Sequence, residues 1–102
     1  MDLRQLQDRL QSFADARDWN QFHSPKNLAM ALSVEAAELL EIFQWLTEAQ
    51  SRDLSASQRA ALTDEIADVQ IYLMRLADVT NVNIEVAVEQ KIVKNALKYP
   101  AD

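Results

Sequence analysis

The 102-residue chain contains no glycine. Two-residue β-hairpins and most left-handed backbone positions depend on glycine, which alone enters positive φ without a side-chain clash. A β-rich fold of this length would need several such turns. Only two prolines, Pro25 and Pro100, interrupt the chain, so the sequence predicts an all-α domain.

Apolar spacing divides that domain into four long helices. The first is expected over about residues 2–17, with Leu3, Leu6, Leu10, Phe13 and Ala14 as its apolar face. Arg17 to His23 breaks the period and reads as an aromatic loop. Ser24-Pro25 is a helix start, with serine capping and proline at the first helical position, and the second helix is expected to reach about Leu46. Thr47 to Leu54 is a polar connection. Ser55 and Gln58 have capping-box spacing and open a third helix running to about Val79. Thr80-Asn81-Val82-Asn83 turns the chain, with asparagine in the place of glycine. The fourth helix, about residues 84–98, carries Ile84, Ala87, Val88, Ile92, Ala96 and Tyr99 on one side and stops before Pro100. Short links between four helices make residues 1–102 a single domain, a four-helix bundle-like subunit or an intertwined oligomer of helices.

Two acidic pairs interrupt the apolar stripes. Glu35-Ala-Ala-Glu38 lies in the second helix, where Leu28, Leu32, Leu39, Ile42 and Leu46 form the stripe and Glu35 stands where another leucine is expected. Glu65-Ile-Ala-Asp68 lies in the third, with Tyr72 continuing the same border. Carboxylates three apart sit one turn apart on one side of a helix. They also suit the wet edge of an amphipathic helix. If the two stripes pack together, however, four carboxylates converge in a half-buried patch, and protonation or a cation must relieve their repulsion. An all-oxygen site of this kind fits a hard divalent ion such as Mg²⁺.

Trp19, Phe22, His23, Trp45 and Tyr72 can serve as core or interface residues, or as a set that sandwiches a nucleotide base. Lys91, Lys94 and Lys98, with Asn95 among them, complement a helix C-terminus, or Lys91, Asn95 and Lys98 reach phosphate oxygens. The formal net charge of −6 argues against gripping a nucleic-acid polymer, which needs a basic patch, but leaves room for a single nucleotide. Charges interrupt every apolar run, so no membrane span is expected. The start Met1-Asp2-Leu3-Arg4 lacks the build of a signal peptide. With no cysteine there is neither disulfide nor thiolate site, and a cytoplasmic location is expected.

Four stretches together carry a family resemblance: Arg17 to Leu28 (RDWNQFHSPKNL); Glu35-x-x-Glu38-x-x-Glu41-Ile-Phe-Gln-Trp45; Asp64-Glu65-Ile-Ala-Asp68-Val-x-x-Tyr72; and Lys91-x-x-x-Asn95-x-x-Lys98-Tyr99-Pro100. The chain resembles the MazG-like all-α nucleotide pyrophosphohydrolases over roughly residues 10–100, and their dCTP pyrophosphatase branch in particular. The resemblance implies Mg²⁺-dependent hydrolysis of a nucleoside triphosphate between its α and β phosphates, with dCTP or a modified dCTP as substrate and nucleotide-pool cleaning as the role. It implies Glu35, Glu38, Glu65 and Asp68 as metal ligands, with Glu35 or Glu38 as general base. It implies Trp19, Phe22, His23, Trp45 and Tyr72 around the nucleotide, and Lys91 and Asn95 near its phosphates. It further implies a homo-oligomer, a tetramer rather than a dimer. The sequence departs from the branch at Leu10, where members carry a substrate-touching histidine. The competing readings are a non-catalytic helical nucleotide sensor or adaptor, and a phosphoribosyl-ATP pyrophosphohydrolase, from which the Trp19–His23 loop and Phe43-Gln44-Trp45 point away.

Overall fold

The computed structural model describes residues 1–101, and every regular element in them is helical: α1 (Leu3–Ala16), α2 (Pro25–Phe43), α3 (Glu48–Ser51), α4 (Ala56–Val79) and α5 (Ile84–Lys98), with a 3₁₀ turn at Asn20–Phe22. Asp102, the last residue of the expected domain, lies outside the described residues. The starts follow the local chemistry. Ser24 caps α2 through the amide of Asn27, with Pro25 in the first turn. Ser55 and Gln58 form the expected reciprocal capping box at α4.

The connection holds an additional helix. Thr47 accepts from the Gln50 amide and Gln50 Oε1 accepts from the Thr47 amide, so a second capping box opens α3. That competing start ends α2 at Phe43, three residues before the expected Leu46, and leaves Trp45 outside any helix.

Without glycine, two polar residues take the left-handed positions, Asp18 at φ 55° and Asn81 at φ 58°. Each closes a helix with paired 6→1 and 5→2 hydrogen bonds. After α1 these run from Trp19 to Ala14 (2.9 Å) and from Asp18 to Asp15 (3.2 Å); after α4 they run from Val82 to Ala77 (2.9 Å) and from Asn81 to Asp78 (3.3 Å).

Helices α2 and α4 form the main packed pair, and α1 lies along the C-terminal half of α4. Both pairings are antiparallel: His23, just before α2, meets Arg75 while Glu35 meets Glu65, and Gln7 meets Asp78 while Gln11 meets Arg75. The buried core runs through Ala14, Leu28, Met74 and Ala77. The inner face of α1 is turned from the expected one. Gln7 is 5 % exposed against 38 % for Leu6, because the Gln7 amide donates to Asp78 at 2.9 Å and is satisfied inside.

Helix α5 departs furthest from the expected bundle. It has no buried residue, and Ile92 and Leu97 are 62 % and 80 % exposed. Its apolar side does not join a bundle within this chain. The subunit is a three-helix assembly with a projecting fourth long helix.

Candidate active site

The antiparallel packing of α2 on α4 brings the two acidic pairs together. Carboxylate oxygens of Glu35, Glu38 and Glu65 all lie within 4.8 Å of one another. Glu35 and Glu65 are half-buried and Glu38 is exposed. Oε2 of Glu35 and Oε2 of Glu65 are each shut off from solvent without a hydrogen-bond partner. Such orphaned acceptors are costly unless a proton or a cation meets them. Burial first, then the neighbouring Glu65, Glu38 and Asp68 carboxyls, pushes the Glu35 carboxyl up to about 7. Glu65 is raised as well, chiefly by burial. Asp68 stands outside the close trio, yet its charge bears on both glutamates. A donor set of carboxylate oxygens alone, two of them orphaned, fits a hard divalent cation.

Further along α4 lies a cavity of about 230 Å³ lined by Leu10, Phe13, Ala14, Trp19, His23, Ile71, Tyr72 and Arg75. The left-handed turn at Asp18 places Trp19 in it. The Trp19 ring meets Phe13 edge-on with centroids 5.5 Å apart, the hydrophobic contact that usually accompanies this helix ending. Trp19 and His23 are 6.1 Å apart, centroid to centroid. Burial and the nearby Arg75 charge lower the His23 pKa, so its ring is neutral at neutral pH. Glu65, Asp68, Tyr72 and Arg75 follow one another along α4 at helical spacing, and about 10 Å of helix separates Glu65 from Tyr72.

Of the expected substrate residues, Trp19, His23 and Tyr72 therefore share one cavity, and Leu10 lines it as well. Phe22, Trp45, Lys91 and Asn95 do not line it. All four are exposed, Trp45 by 87 %, and the two α5 residues stand on the projecting helix. Arg75 was not among the expected site residues. Its signal was a lone cation inside the apolar run Ile71-Tyr-Leu-Met-Arg75-Leu-Ala77.

Residues 30–102 match the MazG-like family. The chain belongs to the MazG-like family. Among its relatives, dCTP pyrophosphatase 1 of Homo sapiens is 46 % identical over 91 residues, which are 87 % of this chain and 54 % of that protein. The Mus musculus dCTP pyrophosphatase 1 is 46 % identical over 90 residues, 86 % of this chain and 53 % of its own length. The chain thus spans about half the length of the curated relatives it matches. A crystal structure of a pyrophosphatase from Archaeoglobus fulgidus, 44 % identical, aligns with a TM-score of 0.91 over 96 % of this chain and 92 % of that one. The MazG-like fold, with its helical pairing and projecting α5, is therefore shared with a solved pyrophosphatase. No described helix is long and apolar enough to cross a membrane.

Proposed function

We propose that this MazG-like chain is a Mg²⁺-dependent nucleoside triphosphate pyrophosphohydrolase that releases diphosphate and a nucleoside monophosphate, with dCTP or a modified dCTP as substrate. The observation that carries this reading is the alignment along α4 of the acidic trio, with its orphaned oxygens, and the aromatic cavity two turns away. One end suits phosphates through a cation and the other suits a base. The dCTP pyrophosphatase relatives support the same substrate.

Glu35, Glu38, Glu65 and Asp68 would hold the cation. When bound, it neutralises phosphate charge and acidifies a water molecule. Phosphoryl transfer asks the protein chiefly for alignment and charge compensation. Trp19 and Tyr72 hold the base by stacking, and His23 offers it a polar contact. Water attacks phosphorus at the α–β bridge, the bridging P–O bond breaks, and Glu35 or Glu38 accepts the water's proton as general base. Surplus or damaged nucleotides in the cytoplasm are the fitting targets.

The same reading takes the active form as a homo-oligomer, a tetramer rather than a dimer, in which a second copy covers α5 and brings Phe22, Trp45, Lys91 and Asn95 towards a nucleotide. Exposed Val86, Val88, Ile92, Val93 and Leu97 on α5 support it.

The test is a substrate panel: purified protein and Mg²⁺ with each canonical dNTP and NTP and with 5-modified dCTPs, following diphosphate and monophosphate separately. dCMP and diphosphate are the expected main products, abolished in Glu38→Gln and Glu65→Gln variants that still fold. Orthophosphate as the product, or full turnover by both variants, sinks the proposal.

A further inference from the structure

Arg75 is 3 % exposed, and among the described residues no carboxylate lies within ion-pair distance of it. A buried cation whose direct partners are all neutral is expensive to keep, and the Asp15 carboxylate behind those partners offsets its charge from a distance. Its Nε donates to His23 Nδ1 at 3.3 Å, one terminal nitrogen donates to Gln11 Oε1 at 2.7 Å, and the other to Asn20 Oδ1 at 3.4 Å. Asp15 fixes these partners, because its carboxylate accepts from the amides of both Gln11 and Asn20. That leaves the Gln11 amide oxygen to the guanidinium, and the Asn20 amide oxygen is shared between Arg75 and the Gln11 amide, which donates to it at 3.0 Å.

Arginine only donates, so His23 Nδ1 must be an unprotonated acceptor, and the proton of the neutral ring sits on Nε2. The ring nitrogen left for a ligand is then a donor. Arginine also has five N–H groups, of which three are engaged, so two remain. The polar corner of an otherwise apolar cavity thus carries donors from His23 and Arg75, beside the amphoteric Tyr72 hydroxyl.

We propose that Arg75 determines base specificity as a positioning residue: it locks His23 as the Nε2–H tautomer and makes this corner of the pocket donor-rich. A pyrimidine is then read through adjacent acceptors. Cytosine offers O2 and N3 as two such acceptors. Thymine and uracil offer O2 beside an N3–H donor, which meets another donor there. The inference rests on the proposed function only for the nature of the ligand.

The test uses the 15N-labelled full chain without Mg²⁺, titrated with dCMP and, separately, dTMP. His23 is the chain's single histidine, so the imidazole 15N signals report it alone. The expected result at pH 7 is the Nε2–H tautomer, a shift of the Nε2 signal on adding dCMP, and dCMP binding about tenfold tighter than dTMP, the size of one hydrogen bond made against a donor left unpaired. Arg75→Gln should release the tautomer and bring the dCMP-to-dTMP ratio close to one. Arg75→Lys, which keeps the charge and loses the fork, should not restore it. A proton on Nδ1 in the unaltered protein, or equal affinity for the two nucleotides, overturns the proposal. These two readings need no variant, so they decide even if Arg75→Gln does not fold. Triphosphate turnover is scored independently: a locked tautomer with dCMP preference but no hydrolysis refutes the enzymatic reading and supports this one.

Discussion

Asp18 shows what a single residue can set in a chain without glycine. At φ 55° it closes α1 and delivers Trp19 to Phe13 and the cavity. Asparagine and aspartate tolerate the left-handed region; a residue with an ordinary Cβ and no local hydrogen bond does so at about 1–2 kcal/mol. Asp18→Ala should therefore destabilise the chain by about 1 kcal/mol in urea unfolding and alter Trp19 fluorescence, and an unchanged midpoint and spectrum would count against this account. The Glu35 carboxyl couples stability to pH. Burial and neighbouring carboxyls hold it up at about 7 from 4.5, and Glu65 is raised too. A carboxyl with a raised folded-state pKa adds stability that is full below its unfolded value and is lost as pH rises through the folded one. In chelator, the melting temperature should fall between pH 5 and pH 8, and Mg²⁺ added at pH 8 should recover it. A flat profile in chelator, or no response to Mg²⁺, would separate these acids from any cation site.

At the level of elements, the site is made by α2 lying antiparallel on α4. Leu28 is the largest side chain that is completely buried, at 1 % exposure, and it sits in the first turns of α2 on the helix that carries Glu35 and Glu38. Leu28→Ala leaves a cavity there and should cost about 3 kcal/mol, measured by denaturant unfolding. Leu40, 60 % exposed on the same helix, should tolerate alanine within about 0.5 kcal/mol in the isolated subunit. The helix starts were legible in the sequence because caps are local: serine or threonine with glutamine three residues on satisfies orphan amides whatever surrounds it. The same logic explains α3, since Thr47 and Gln50 carry the signal of Ser55 and Gln58. The face of α1 was less legible. Its inward Gln7 depends on Asp78, 71 residues away in sequence, to satisfy its amide.

The whole chain has a radius of gyration of 16.5 Å, against about 13 Å for a compact domain of this length. The excess comes with α5, whose apolar side is left largely exposed by the described residues. If a second copy covers it, sedimentation should return a multiple of 11.6 kDa, a tetramer by the proposed reading. Ile92→Glu should then dissociate the assembly and lower turnover while the subunit keeps its helical spectrum. A monomer at micromolar concentration with full activity would remove the oligomer from the proposal.

The sequence by itself determined the helical class, the helix starts and the two acidic pairs. These depend on interactions within a few residues: the lack of glycine, the caps, and carboxylates three apart on a 3.6-residue helix. It also carried the family through the motifs of its loop and helices. Only the tertiary structure decided which acids meet, because Glu35 and Glu65 come together through the register of α2 against α4. It alone separated Trp19, His23 and Tyr72, which share a cavity, from Trp45, Lys91 and Asn95, which do not. It also gave Arg75 its place, since a buried guanidinium is acceptable only where a distant glutamine, asparagine and histidine all turn acceptors towards it.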